Sequence, residues 1–570
     1  EAAAAADKPM VTDPTTGKMV TAPEYGGTLT HAIKFNLEPG DVWFGFRALG
    51  MTSGVVEKLA MADWAIDRDT YPFLTGYVAP LYALRGALAE SWEQPDATTY
   101  IFHIRQGVHW HDKAPMNGRE LTADDVEHSF HRLLGNKLTG TQFSEADPSP
   151  SGTLKAFPFE SVEATDKYTV VMKLKEPKLR ALNLILDDWN AVIQPPEVIE
   201  QYGDMQDWRN IVGTGPYTIT DFTKGSSITW TKNPNYWGYD EKYPENRLPY
   251  IDEITGLVIP EEATFLAGLR TAKIDFIGWP GATQLNEIET ADRLRETNPE
   301  LVFHTWSERS NASFAMNTNK PPWDDIRVRQ AMQMALDLET MNDAFYKGAA
   351  DTIPRGIVAL EFKGYHVPFE EWPEEIKRYH RYDPAGAEKL LDEAGLPRGA
   401  DGMRFKTTYM HFPQIEVSWA ELVAEYWRDI GVVVDIETPS MAESNARRRA
   451  GDWEIGPQVL GIKADPSINM HLYWSGNPGN TGVSDPEYDA LYEAAQVATT
   501  IEEQKALFRQ MDWRIIEQFW AIWGPLAPAF SVHWPWVIGY SGEGGFGGMQ
   551  NMVVFSRLWI DSELKKAMGY

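Results

Sequence analysis

Leu88-Ala89-Glu90-Ser91-Trp92-Glu93, then Thr99-Tyr100-Ile101-Phe102-His103-Ile104-Arg105-Gln106-Gly107-Val108-His109-Trp110-His111-Asp112, then Leu121-Thr122-Ala123-Asp124-Asp125-Val126-Glu127-His128-Ser129-Phe130 decide how the whole chain is read. Tyr100, Phe102 and Ile104 alternate with Ile101, His103 and Arg105, the period of a strand with one buried face. Gly107 permits a bend. Thr122 is placed to cap a helix, with Asp125 at its third position able to reach back to the free N–H groups. Val126, Phe130, Leu133 and Leu134 then continue an apolar stripe at helical spacing. Strand, turn and helix follow one another.

Five of the twelve histidines fall between His103 and His131, and His109 and His111 would share one face of a strand. That spacing invites a metal. With no cysteine and no third ligand at a suitable spacing, a structural histidine pair is the better reading, and no metal or other cofactor is expected.

At 570 residues the chain is too long for one core. Its 82 acidic against 52 basic residues give a net charge of −30. That field repels phosphate backbones, which argues against nucleic acid as a partner. No apolar run is long enough to cross a bilayer. The first six residues, Glu1-Ala2-Ala3-Ala4-Ala5-Ala6, read as what remains after a signal peptide is removed. The segment up to Pro23 has little to bury and is expected to be a flexible tether. Tryptophan is abundant, at 22 residues. Most of these rings belong to the core, and some could line a cleft.

The order and wording of the opening stretch resemble the extracytoplasmic solute-binding proteins of the oligopeptide/dipeptide/nickel family, which serve ATP-driven importers. Val212-Gly213-Thr214-Gly215-Pro216-Tyr217 resembles that family's GTGPY turn. Asn233-Pro234-Asn235-Tyr236-Trp237 and Asn319-Lys320-Pro321-Pro322-Trp323-Asp324-Asp325 match further family segments, in family order. The glycine turn is not a nucleotide loop, since it lacks a third glycine and a Lys-Ser/Thr pair.

The resemblance implies an α/β, two-lobed periplasmic-binding-protein-like fold with a hinge and an accessory domain inserted in the first lobe. On that reading residues 1–23 are the tether and 24–52, 160–307 and 524–570 the first lobe. Residues 53–159 are the accessory domain and 308–523 the second lobe. Within the second lobe, alternating strand and helix signals from Phe405 to Ile436 agree with an α/β unit.

The family's ligands lie between the lobes, so strand-end residues are the candidates: Trp43, Phe44, Trp279, His411, Phe412, Lys463, Asp465 and Trp474. One departure matters. Peptide-binding members carry an Asp three residues before the Asp-Pro pair, and here that position is Ile462. An enclosed ammonium without a carboxylate costs several kcal/mol.

The expectation is therefore a non-enzymatic, monomeric, extracytoplasmic protein that captures a peptide and delivers it to a membrane permease. An oligosaccharide is the alternative ligand. A secreted glycoside hydrolase working with two carboxylates is the alternative of another class; no HExxH, GxSxG or thiol nucleophile is present.

Overall fold

The computed structural model describes residues 9–40, 46–73, 78–135, 154, 157–178, 180–281, 283–307, 313–358, 362, 364–412, 418–457, 466–477, 481–498, 500–547 and 550–570. The chain divides into two compact units, Glu1–Trp306 with Phe530–Tyr570, and Ser307–Ala529. Among the described residues no helix is long and apolar enough to cross a membrane.

The first unit holds a seven-stranded mixed sheet in the order Tyr217–Thr223, Ser227–Lys232, Glu253–Val258, Thr28–Ile33, Phe276–Ile277, Pro528–His533, Val302–Ser307. Thr28–Ile33 pairs in parallel with both of its neighbours. The chain leaves this unit along Val302–Ser307 and re-enters it along Pro528–His533.

The opening stretch forms the elements its pattern predicts. Thr99–Ile104 is a strand with Tyr100, Phe102 and Ile104 buried. Ala123–Leu134 is a helix, and the Thr122 backbone N–H donates to the Asp125 carboxylate at 2.9 Å. The strand lies in a four-stranded antiparallel sheet ordered Ala89–Glu93, Thr99–Ile104, Thr169–Leu174, Phe159–Asp166. The expected boundary between residues 159 and 160 therefore falls inside one sheet. The Val-rich run Thr169–Leu174, which has the sequence pattern of a strand and falls within the expected first lobe, completes the sheet of the opening stretch.

The N-terminal expectation also needs correcting. Met10–Thr12 and Met19–Thr21 pair as an antiparallel hairpin. Its turn buries Asp13, which accepts from the Thr15 hydroxyl at 2.7 Å and from Lys242 Nζ at 2.9 Å. These partners overcome the cost of burial and hold the Asp13 carboxyl down at about 2. Val11 and Val20 pack against a cluster containing Tyr236, Tyr250 and Trp559. Residues 9–22 are folded onto the first unit because Asp13 finds a cation more than 200 residues away.

The glycine turn explains how the opening stretch is fixed. His111 is buried, with Nε2 2.9 Å from the Gly215 carbonyl and Nδ1 facing the Gly213 N–H at 3.4 Å. One donor and one acceptor match a neutral imidazole. Burial pushes its pKa down to about 4. The histidine pair is thus structural: His109 Nδ1 lies 2.8 Å from the Gly118 carbonyl. The turn itself lies on residues 54–55, with Gly215 N–H donating to the Val55 carbonyl at 2.8 Å. A Cβ at position 213 would fall 1.9 Å from the Val55 carbonyl oxygen, and one at 215 would fall 2.7 Å from that of Gly54. Below it the Glu57 carboxylate accepts from Thr214 Oγ1, Tyr236 OH and Trp237 Nε1 at 2.8–2.9 Å.

The second unit carries a five-stranded mixed sheet ordered Val432–Glu437, Phe405–Met410, Ile455–Pro457, Ser313–Met316, Ala521–Trp523. Helices Ile326–Met334, Pro384–Glu393 and Ser418–Asp429 contribute to its core around Phe314, Trp323, Trp419 and Trp427. Asp383-Pro384, Asp485-Pro486 and Thr500 with Glu503 have the sequence pattern of helix caps, and each acts as one: Asp383 accepts from the Gly386 N–H, Asp485 from that of Tyr488 and Thr500 from that of Glu503.

Two outcomes follow. Gly213→Ala should lower the urea-unfolding free energy by about 3 kcal/mol, because backbone must move. Gly107→Ala, at φ +74° with no atom within 4 Å of the added Cβ, should cost about 1–2 kcal/mol; equal costs would remove the close-packing explanation. Second, neutral His111 supports the fold above pH 6.5, and protonation of the unfolded chain withdraws that support as pH falls towards 4. The stability advantage of the parent chain over His111→Gln should therefore shrink by up to about 1.4 kcal/mol per pH unit across that window. A constant difference from pH 7 to 4 would contradict the assignment.

Candidate functional site

Trp279 follows strand Phe276–Ile277 in the first unit and opens the turn Trp279–Gly281. Its half-buried ring lies against Gly544, where a Cβ would come within 2.8 Å of Cδ1. The indole Nε1 is buried and has no hydrogen-bond partner among the described residues. Trp323, Trp419 and Trp559 share that state, while other tryptophans are bonded. Nε1 of Trp230, Trp427, Trp534 and Trp536 each donates at 2.8–3.0 Å, to the carbonyls of Met51, Met332 and Leu269 and to Asp275. These four rings are buried, so much of the tryptophan abundance belongs to the cores.

In the second unit, strand Phe405–Met410 delivers His411 and Phe412. Both are buried. The His411 backbone N–H donates to the Glu437 carbonyl at 2.7 Å, and its ring lies 5.8 Å from that of Tyr409. Trp474 is half-buried and stacks on Tyr492 with centroids 5.2 Å apart and planes at 22°. His471 closes that group, with Nδ1 2.9 Å from the Tyr492 hydroxyl. Trp43, Phe44, Lys463 and Asp465 lie outside the described residues, as does Ile462.

The structure adds a residue that the sequence reading missed. Arg448 is on helix Met441–Ala450, and its guanidinium lies 5.0 Å from the ring centroids of both Phe412 and Trp453. Nη2 donates to the Pro457 carbonyl at 2.8 Å, and Nε is buried without a partner. Among the described residues it has no carboxylate within salt-bridge distance. Burial pushes it down to about 10, the hydroxyls of Tyr409 and Tyr473 acting the other way. It stays fully cationic at pH 7. Room for it comes from Gly456, where a Cβ would lie 2.6 Å from Nη2.

In sequence Arg448 is hidden within Arg447-Arg448-Arg449. Arg447 pairs with Glu437 at 2.8 Å on the exposed side, and Arg449 is exposed. Successive helical residues point about 100° apart, so only one of three turns inward. Tyr473, next to Trp474 in sequence, is within electrostatic reach of Arg448. Phe412, Arg448, Trp453 and Tyr473 thus form one aromatic and cationic neighbourhood.

The perturbed carboxyls serve the fold. Burial pushes Asp187 up to about 6 although Lys58 donates to it at 2.9 Å with both side chains fully enclosed. Asp512, pushed up to about 7 by burial, accepts from the Val358 N–H at 3.1 Å. Both hold neighbouring backbone.

Residues 83–481 match the family described as bacterial extracellular solute-binding proteins, family 5 Middle. Among similar proteins is "Heme-binding protein A" of Haemophilus influenzae, 29% identical over 484 residues, covering 80% of this chain and 81% of the relative. The "Dipeptide-binding protein" of Escherichia coli is 26% identical over 390 residues, covering 66% and 67%. Among solved structures, the periplasmic binding protein DppA from Helicobacter pylori in complex with the peptide STSA superposes with a TM-score of 0.70 at 22% identity, covering 95% of this chain and 99% of that one.

The orphan N–H makes Trp279 cheap to change. Trp279→Phe should cost under about 1 kcal/mol, whereas Trp536→Phe, which strips a donor from buried Asp275, should cost about 2 kcal/mol or more. Thermal unfolding of the two variants compares them, and a larger loss at Trp279 would mean that its N–H is satisfied in the folded protein.

Proposed function

The chain belongs to the bacterial extracellular solute-binding proteins of family 5, and from that premise we propose that it captures short peptides by their carboxylate end. It then delivers them unchanged to the membrane permease of an ATP-driven importer, working outside the cytoplasm once a leader has been removed. The observation that carries the peptide reading is Arg448, a half-buried cation with an enclosed Nε and no counter-charge among the described residues, set against the rings of Phe412 and Trp453. A guanidinium in that setting is stabilised by an anion that it can hold with charge-assisted hydrogen bonds. A peptide C-terminus supplies one; a neutral oligosaccharide does not. The dipeptide-binding relative and the peptide-bound structural neighbour support the same choice.

The proposed ligand contacts of the second unit are Arg448, Phe412, His411 and Trp474; Trp279 of the first unit is a candidate from the sequence. Trp43, Phe44, Lys463 and Asp465 remain candidates from the sequence. Micromolar affinity needs about −8 kcal/mol. Two or three buried rings at about 1.5–3 kcal/mol each, with a charge-assisted pair at about 1.5–3 kcal/mol, reach that range. The ligand works by favouring the closed member of an open–closed equilibrium.

Ile462 in place of the expected Asp gives the proposal its polarity. In calorimetric titrations with tripeptides, amidating the C-terminus should weaken binding at least about tenfold, while acetylating the N-terminus should change it less than about threefold. Arg448→Gln should abolish the difference between the free acid and the amide. Equal loss from both modifications, or an unaltered free-acid preference in Arg448→Gln, would overturn the carboxylate-led reading. Tight binding of a neutral oligosaccharide instead would restore the alternative ligand.

A further inference from the structure

A concavity lies within the first unit, and none of the residues named above as ligand contacts lines it. It is a cleft of about 660 Å³ lined by Arg85, Glu90, Arg105, Trp237, Tyr239 and Arg247, with Gln106 and Gly107 completing its wall. That volume is in the range of small-molecule sites. Three guanidinium groups facing one cleft stand out on a chain of net charge −30.

Their hydrogen bonding leaves donors unspent. Arg105 uses Nε on the Ala87 carbonyl at 2.8 Å and Nη2 on the Gly86 carbonyl at 3.3 Å, and its guanidinium lies over Trp237 at 4.7 Å. Its Nη1 takes no partner in these contacts. Arg247 spends only Nε, on the Tyr236 carbonyl at 2.5 Å. Neither has a carboxylate within salt-bridge distance among the described residues. Arg85 is committed through Nη2 to Glu241, a carboxylate already held by Arg557, and its buried Nε has no partner. Trp237 is held from behind by its Nε1 bond to Glu57, so the ring under Arg105 is fixed. Tyr239 is exposed and supplies a second ring.

The charges act on one another. Glu90 and Glu57 favour the Arg105 cation, while Arg85 and burial oppose it. Among the described residues Glu90 is the one carboxylate lining the cleft. The repulsion between guanidinium groups is relieved by an anion placed among them.

We propose that this cleft binds a small ligand carrying two oxyanion groups, phosphate or carboxylate, held by Arg85, Arg105 and Arg247 with the rings of Trp237 and Tyr239 beside it. Arg247 is the key discriminator, because it is exposed and its side chain holds no other carboxylate. Glu90 opposes the ligand and sets the upper limit on affinity. The site is independent of the peptide contacts.

Two probes separate the sources of such a ligand: inorganic pyrophosphate for phosphate chemistry, and phthalate for an aromatic dicarboxylate. Isothermal titration of the full chain at low salt should show sub-millimolar binding of at least one. Arg247→Gln should weaken it about tenfold, and Glu90→Gln should tighten it about threefold. Preference for phthalate that is lost in Tyr239→Ala assigns the aromatic class; preference for pyrophosphate assigns the phosphate class. Arg448→Gln should leave both titrations unchanged, so failure here is separable from failure of the peptide proposal. Absence of binding by both probes, binding indifferent to Arg247→Gln and Glu90→Gln, or binding lost in Arg448→Gln would each overturn the proposal.

Discussion

The enclosure of His111 between the backbone of Gly213 and Gly215 is the contact on which the first unit depends. It fastens the sheet containing Thr99–Ile104 to a turn that is itself pressed onto residues 54–55. Only glycine fits at those two turn positions, and only a neutral imidazole matches one donor and one acceptor. Beneath it the Glu57 carboxylate gathers donors from Thr214, Tyr236 and Trp237. Segments more than 100 residues apart are thus tied by five hydrogen bonds to buried groups. Loss of any one leaves a polar atom enclosed without a partner, which is why the arrangement is specific as well as stable.

The same reasoning separates structural charge from functional charge. Lys58 has Asp187, Arg557 has Glu241 and Lys242 has Asp13, each pair largely or wholly enclosed. Buried cations in this protein are ordinarily matched. Half-buried Arg448 and Arg105 and exposed Arg247 have no carboxylate within salt-bridge distance among the described residues; buried Arg329 has none either, but its donors go to the Gln518 and Trp323 carbonyls. An acidic protein has carboxylates to spare, so an enclosed or cleft-lining guanidinium without one is the observation that directs attention to a ligand. Arg448 sits among rings in the second unit, and Arg105 and Arg247 line a concavity in the first.

Local chemistry made much of this legible in sequence. The strand period of Tyr100, Phe102 and Ile104, the Thr122–Asp125 cap and the caps at Asp383, Asp485 and Thr500 all depend on residues within a few positions of each other. The glycine turn was legible for the same reason, whereas the partners that make His111 structural lie more than 100 residues away and had no local signal. What failed depends on distant partners. Residues 9–22 lack an apolar run, and nothing near them announces that Lys242 will enclose Asp13. The strand at Thr169–Leu174 reads correctly as a strand, but its pairing with Thr99–Ile104 cannot be inferred from its own pattern. Arg448 was invisible because its inward direction is set by helix phase within a run of three arginines. Trp279, His411 and Phe412 follow strands as expected of strand-end residues, Trp474 follows helix Pro466–His471 instead, and the pairing of Phe412 with a guanidinium had no local signal.

The central claim is that the protein holds a ligand by its carboxylate and releases it unaltered. Native mass spectrometry of the purified chain, followed by denaturation and sequencing of whatever is released, tests it most directly. The account predicts a population of short peptides with free C-termini, lost in Arg448→Gln while the chain stays folded. Release of a neutral carbohydrate, or of peptides retained equally by Arg448→Gln, would contradict it.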